Sequence, residues 1–244
     1  MRVLVHGAAG YMGRHVVRMA GEGVCGASLG AAVDAFAGGQ SGMVTTLAEA
    51  APADVIIDFS HHTAVPGVLA YAVENNLPVV IATTGCTDEE KLAIVQAAKQ
   101  VPVFFSANMS VGVALLCRLA KQTAALFPDA DIEIVETHHN RKLDAPSGTA
   151  LMIADAIRAV RPDAVNQCGR SGMAKRQKNE IGISAIRRGN IPGIHEVIVS
   201  TANQAITLKH EVYDRALFAE GALTAAAWLV QQPAGLYDMY SMLG

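Results

Sequence analysis

The sequence predicts an α/β chain, a doubly wound parallel sheet joined to a second α+β domain. Three observations carry this. Short, wholly apolar runs alternate with helical stretches as far as about Asn108. A glycine-rich turn, Gly7 to Gly13, follows the first of those runs directly. Beyond Asn108 the strict alternation stops, and helices and strands come in separate blocks. Strands apolar on both faces belong in parallel sheets covered by helices, whereas blocked elements indicate an α+β arrangement.

In the first part, Arg2–His6, Leu29–Val33, Asp54–Phe59, Pro78–Ala82 and Val101–Phe105 read as strands. Between them Tyr11–Ala20, Thr63–Glu74 and Asp88–Lys99 space their apolar residues as helices do. Asp88-Glu89-Glu90 puts acid in a first helical turn, where the helix dipole favours it. A long helix over Val111–Phe127 then leads to a strand at Asp131–Thr137 and a helix from about Gly148 to Val160. Strands follow at Ile181–Arg187, Glu196–Thr201 and Ala205–Glu211, with a mixed or antiparallel sheet expected. The Ala-rich helix Arg215–Val230 is expected to return to the first domain. Gly38-Gly39-Gln40-Ser41-Gly42 reads as a loop, and Gly169–Asn179 as either a mobile loop or a subunit contact.

Composition narrows the function classes. The chain has 244 residues, 51% hydrophobic and 17% charged, with a net charge of −3, which excludes a globally basic nucleic-acid binder. No apolar run approaches the ~18 residues of a membrane-spanning helix. The opening residues break their apolar run too early for a signal peptide, so a cytoplasmic protein is expected. Cys25, Cys86, Cys117 and Cys168 have no metal-ligand spacing, and buried or partly buried inert thiols are expected. Charge is unevenly placed: His138 to Asn190 holds ten Lys/Arg against four Asp/Glu. Such a field suits a small anionic ligand, or a solvated basic face or subunit contact.

Three motifs carry chemistry. In Gly7-Ala8-Ala9-Gly10-Tyr11-Met12-Gly13, the first glycine permits a tight turn and Gly10 lets backbone approach a pyrophosphate. Gly13 lets the helix pack closely on the strand. The spacing is GxxGxxG, so its strand–turn–helix context is what points to a dinucleotide rather than a plain turn. Asp34 ends the second strand, where an acid accepts from an adenosine ribose and repels a 2′-phosphate; NADH is therefore expected over NADPH. Ala82-Thr83-Thr84 and Ser106-Ala107-Asn108-Met109 end further strands, at the edge where open α/β sheets bind ligands. The third motif runs from Glu136 to Ala150. His138, His139, Arg141 and Lys142 leave one strand together, and Ser147 caps a helix that presents Gly148 and Thr149. Cations facing a helix N-terminus make a socket for carboxylates, and His titrates near neutrality. A metal site there lacks a convincing ligand set.

These motifs resemble the 4-hydroxy-tetrahydrodipicolinate reductase (dihydrodipicolinate reductase) family of lysine and diaminopimelate synthesis, nearly end to end. The resemblance rests on Val5–Arg14, Ile57–Ser60, Thr83–Gly85 and Ser106–Val113. It continues through Glu136–Leu151, Arg187–Glu196 and Arg215 with Phe218–Leu223, and the segment from His138 to Ala150 is its most specific part. It implies a Rossmann-like dinucleotide-binding domain, 1–109 plus 215–244, and a substrate-binding and tetramerisation domain, 110–214. It implies that Gly7, Ala8, Ala9, Gly10, Tyr11, Met12, Asp34, Ala82, Thr83, Thr84, Ser106, Ala107, Asn108 and Met109 line NADH, with NADPH also accepted. His138 would be proton donor and acceptor and Lys142 proton donor. His139, Gly148 and Thr149 would hold a small cyclic dicarboxylate substrate. Many members carry Arg where this chain has Tyr11, and a basic residue near Ala35 that meets the 2′-phosphate. The segment between Asp34 and Leu47 is also shorter here than in many members. Two rivals are a Rossmann reductase of another small carboxylic acid and a non-catalytic NAD-sensing protein.

Overall fold

A computed structural model describes residues 1–38 and 42–244. The glycine-rich loop expected at 38–42 lies mostly outside the described residues. The chain divides into two compact units, Met1–Ser110 with Ala216–Gly244, and Val111–Arg215.

The first unit alternates β1 (Arg2–His6), α1 (Tyr11–Gly21), β2 (Ser28–Val33), β3 (Val55–Asp58), α2 (Val65–Glu74), β4 (Val79–Ile81), α3 (Asp88–Ala97) and β5 (Pro102–Phe105). A capping box over Thr87 and Glu90 starts α3, and three acids fill its first turn. One face of the sheet packs Leu4, Ile56, Val79, Ile81 and Val103 against α2 and α3 residues such as Val68, Leu69 and Ile94. Chain order returns here after the second unit, which runs α4 (Val111–Leu126), β6 (Asp131–His138), α5 (Gly148–Arg158), β7 (Val165–Cys168), β8 (Glu180–Arg187), β9 (Gly193–Ser200) and β10 (Ala205–Val212). The closing elements are α6 (Leu217–Leu229), β11 (Gly235–Tyr237) and α7 (Met239–Leu243). All pairs in the first sheet are parallel, in the order β11-β5-β4-β3-β1-β2. The order reverses between β1 and β3, and such switch points open a crevice at the carboxyl ends of the strands. Trp228 of α6 meets Phe104 and Tyr237 edge-on, tying β5 and β11 to the helix.

In the second unit the sheet order is β10-β9-β6-β8-β7, with β8 parallel to β6 and β7, and β9 antiparallel to β6 and β10. Ile132 and Ile134 of β6, Ile181 and Ile183 of β8, and Val197 and Val199 of β9 pack against Cys117, Ala120 and Ala124 of α4 and Ile153 and Ile157 of α5. Alternation then carries those same faces on to Glu136, His138, Arg187 and His195, so each inward stripe turns polar at one end.

Sequence periodicity placed most elements within two or three residues. It missed β7, β11 and α7, each five residues or fewer, too short to show a period. It also began β9 at Glu196, whereas pairing starts at Gly193 and draws His195 into the sheet. One expectation is corrected. Cys25 and Cys168 are exposed, not buried; only Cys117 is fully covered. The basic excess is largely consumed by structure. Arg161 donates to the carbonyls of Ala124, Phe127 and Ala130 at the end of α4, Arg158 and Lys178 pair with Asp155 and Asp129, and Arg170 with Glu180. Arg176 pins the 169–179 stretch through Glu133 and the carbonyl of Ile132. Among the described residues no helix is long and apolar enough to cross a membrane.

Gly221 of α6 touches backbone so closely that an added Cβ would stand 1.7 Å from the Met109 carbonyl oxygen. Gly221→Ala is expected to lower unfolding free energy by about 2–3 kcal/mol through overpacking. Gly67→Ala, on an open face of α2 with nothing within 4 Å, is expected to stabilise by about 0.5–1 kcal/mol. Urea denaturation of the two variants checks the pair, and equal effects would contradict the packing argument.

Candidate active site

Each unit has its own polar cluster at the ends of its strands. In the first, a cleft of ≈ 320 Å³ is lined by His6, Gly7, Gly10, Asp34, Ala35, Phe36, Phe59, Ser60, His61, Thr63 and Ala64. Gly7 has φ +79°, and a Cβ there would lie 2.6 Å from the Phe59 carbonyl oxygen; a Cβ at Gly13 would lie 2.0 Å from that of Gly7. The helix therefore sits hard against the turn, and Gly10 caps α1 without a side-chain acceptor. The positive end of the helix dipole there favours an anion. The Asp34 carboxylate accepts from the Ala9 and Phe36 amides at 2.9 Å, which sets it at the cleft wall. Behind it, fully buried Asp58 accepts from His6 Nδ1 (2.7 Å), Ser60 Oγ (2.6 Å) and Thr83 Oγ1 (2.6 Å). Backbone cradle, uncapped helix and strand-end acid fit a dinucleotide.

Of the cofactor residues expected from sequence, this cleft gathers Gly7, Gly10 and Asp34. Ala8 and Met109 are fully or almost fully buried, Met109 against α6, so their side chains are packing residues. Thr83 turns its hydroxyl inward to Asp58, while Thr84 is exposed beside it. Ser106 Oγ donates to the Asn108 carbonyl and Asn108 Oδ1 accepts the Ser110 amide, which shapes the turn after β5. Tyr11 is exposed at the start of α1.

The second cluster centres on Glu136, whose carboxylate is fully buried. Arg187 grips it with two bonds of 2.8 Å, His138 Nδ1 stands 2.5 Å from Oε2, and the Ser147 amide donates to Oε1 at 3.0 Å. Burial alone would raise its pKa; the hydrogen bonds from Arg187, His138 and Ser147 outweigh that and hold it below the ordinary value. His138 is kept below the usual 6.5, by burial first and then by Lys142 and Arg187, against the pull of Glu136. Its ring is accordingly neutral at pH 7 with Nδ1–H donated to Glu136, leaving Nε2 as an acceptor. Gly193 keeps that nitrogen approachable, since a Cβ there would stand 3.2 Å from it. His195 crosses the His138 ring edge-on at 5.2 Å and bonds Ser147 Oγ through Nε2 at 3.1 Å.

Ser147 caps α5, taking the Ala150 amide on its hydroxyl. Gly148 is exposed at the first position, with nothing within 4 Å of where a Cβ would be. Thr149 follows, half-buried. Lys142 Nζ pairs with Asp144 at 2.8 Å, and His139 Nδ1 is buried without a partner among the described residues. His138, His139, Lys142, Gly148 and Thr149 thus share the end of one unit. Sequence reading gave no role to Glu136, Arg187 or His195. The period of two from Glu136 to His138 was a usable signal, because it puts both on one strand face.

The family models for dihydrodipicolinate reductase match almost the whole chain, the N-terminal one residues 1–109 and the C-terminal one residues 112–243. The chain belongs to the dihydrodipicolinate reductase family. A 4-hydroxy-tetrahydrodipicolinate reductase of Caldanaerobacter subterraneus subsp. tengcongensis is 43% identical over 251 residues, covering 100% of this chain and 98% of that one. Its counterpart in Exiguobacterium sp. is 42% identical over 244 residues, covering 99% and 95%. A dipicolinate-bound dihydrodipicolinate reductase from Paenisporosarcina sp. TG-14 shares the fold with a TM-score of 0.81 at 26% identity, covering 100% of this chain and 99% of that one.

Protonation of His195 makes stability pH-dependent. Burial, then the neighbouring His138, push its pKa from 6.5 to about 4. Above pH 6.5 the ring is neutral whether folded or unfolded. Between 6.5 and 4 only the unfolded chain takes up the proton, so stability falls as pH drops through that window, by about 3 kcal/mol in full. Urea midpoints between pH 7.5 and pH 4 measure it, and His195→Gln is expected to flatten the slope. An unchanged slope in the variant would move the acid sensitivity elsewhere.

Proposed function

We propose that this chain reduces 4-hydroxy-tetrahydrodipicolinate to tetrahydrodipicolinate, with loss of water, in lysine and diaminopimelate biosynthesis. The observation that carries the reading is the Glu136-anchored His138 beside Lys142 and the start of α5, within the most family-specific segment. A ring dicarboxylate, dipicolinate, occupies the Paenisporosarcina relative and supports a substrate of that class. Residues 1–109 with 215–244 act as the dinucleotide-binding domain, and 110–214 as the substrate-binding and oligomerisation domain.

Gly7 to Met12, Asp34, Ala82–Thr84 and Ser106–Met109 hold the dinucleotide, those without exposed side chains acting through backbone. The chemistry a reduced nicotinamide supplies when bound is a hydride for C4 of the substrate ring. His139, Gly148 and Thr149 hold the two carboxylates. The Lys142 ammonium protonates the departing 4-hydroxyl, which leaves as water, while neutral His138 Nε2 takes a proton from C5. Once hydride has reached C4, the His138 imidazolium returns its proton to C5 and the ring imine re-forms. One hydride and the one proton from Lys142 are consumed overall, and solvent restores the ammonium. Orientation and charge neutralisation supply the remaining acceleration.

NADH is the preferred donor, because Asp34 disfavours a 2′-phosphate and Ala35 and Phe36 offer it no cation. A homotetramer forms through the sheet face that no helix of the second unit covers, where Ile194 and Ile198 are only half-buried and Ile186 is 42% exposed. The setting is cytoplasmic, as for other soluble biosynthetic enzymes.

The deciding experiment follows NADH and NADPH oxidation with substrate generated fresh by a dihydrodipicolinate synthase. Substrate-dependent turnover, faster with NADH, is expected; NADH binding without turnover would favour a sensor protein. Lys142→Ala is expected to lower kcat about 10²-fold or more while NADH affinity stays within about twofold. Equal loss of both would remove Lys142 from the substrate site. Ala35→Arg is expected to raise the NADPH to NADH ratio of kcat/KM by giving a phosphate its partner, and an unchanged ratio would show that Ala35 does not face the 2′ position.

A further inference from the structure

We infer that Glu136 is the positioning residue of this site, one carboxylate fixing both the tautomer of His138 and the start of helix α5, with Arg187 gripping it from β8. The inference rests on the function proposed above and assigns a residue that chemistry leaves unnamed. Glu136 has four donors from three elements: two from Arg187 of β8, His138 of its own strand and the Ser147 amide at the cap of α5. An ionised carboxylate only accepts, so every proton in the cluster must point toward it. His138 Nδ1 therefore carries its hydrogen, and Nε2 is the lone pair facing the space that Gly193 leaves open.

The same carboxylate sets the helix. By fixing the Ser147 amide on Oε1, Glu136 holds Ser147 where its hydroxyl caps α5 and meets His195. Gly148 and Thr149 come next in sequence, so imidazole and amides are referenced to one rigid group. Arg187 also donates to the Asp144 carbonyl at 2.6 Å, and Asp144 pairs with Lys142, which extends the frame to the proton donor. The charged and titratable groups around Glu136 are therefore Arg187, His138, His195 on the paired position of β9, and the Lys142–Asp144 pair. Arg187 is the cation that bonds the buried carboxylate directly; without it, burial favours the protonated acid.

The test uses the full-length protein with NADH, fresh substrate, and dipicolinate as a non-reacting probe. In Glu136→Gln the amide oxygen at the Oε1 position serves Arg187 Nη2 and the Ser147 amide, and the NH2 group at the Oε2 position faces His138 Nδ1 and displaces Arg187 Nη1. That arrangement puts the ring hydrogen on Nε2. Expected results are a kcat lower by about 10²–10⁴-fold, with KM, NADH affinity and dipicolinate affinity within about threefold. Glu136→Ala, which frees the Ser147 amide as well, is expected to weaken dipicolinate binding in addition. Arg187→Gln is expected to move the acid limb of the kcat/KM profile to higher pH, and Arg187→Lys to move it part of the way back.

An independent readout needs no turnover. In protein labelled with 15N-histidine, assigned against His138→Gln, His138 is expected to show the Nδ1–H form in the wild type. Wild-type kcat in Glu136→Gln, or an Nε2–H form of His138 in the wild type, would overturn the inference. If Glu136→Gln does not fold, the wild-type tautomer and the Arg187 pH series still decide. A wild type inactive on the substrate but carrying the Nδ1–H form would sink the proposed reaction and leave the positioning network standing.

Discussion

A carboxylate with no exposed surface must be compensated completely, and in the second unit that demand organises everything around it. Leaving Glu136 charged and unpaired in the sheet interior would cost several kcal/mol, comparable with a large share of the stability of a domain this size. The compensation comes from a side chain two residues along the same strand, from Arg187 across the β6–β8 ladder, and from the amide of a helix cap. A slip of one residue in the β6–β8 register would turn Arg187 to the other face of the sheet and strand the charge. Register, loop path and helix start are therefore specified together by one ionised group.

The first unit meets a different constraint. Its cleft is shaped by close approach of backbone to backbone: Gly7 against Phe59, Gly13 against Gly7, and Gly221 against Met109. None of these positions accepts a Cβ without displacing main chain. The returning α6 belongs to the same logic, since small residues along it let a helix lie directly on β3, β4 and β5. The site at the switch point is then mostly amides and one strand-end acid, which suits a ligand recognised through phosphates and ribose hydroxyls.

Much of this could be read from the sequence because periodicity and glycine spacing are local signals. The parallel sheet announced itself through fully apolar runs, and the turn from Gly7 to Gly13 through its place between a strand and a helix. What escaped depends on pairing between distant strands. Nothing near Arg187 or His195 in sequence says that one will lie beside His138 and the other across from Glu136. Charge counting cannot sort one cation from another for the same reason, because Arg161 and Arg176 bond carbonyls and carboxylates that only the tertiary fold brings within reach. The short strands β7 and β11 were invisible because three or four residues hold no period, and their partners decide their existence.

The two units solve one problem twice. Asp58 and Glu136 are both buried carboxylates near the carboxyl end of an interior strand, each on the continuation of an apolar stripe. There the strand leaves the hydrophobic layer, and strand ends and loops together supply donors. Asp58 is met by two hydroxyls and an imidazole, groups that can share protons without adding fixed charge. Glu136 is met by a guanidinium, which cannot give its proton up. The first arrangement leaves a cleft whose potential is set by helix amides, suited to a ligand that binds and departs unchanged in its phosphates. The second locks a guanidinium–carboxylate pair behind an imidazole, so His138 meets a fixed field. The proposed reaction, in which His138 first accepts and then returns a proton, is served by that asymmetry: a carboxylate held charged by its donors, beside a ring whose Nε2 is left to accept.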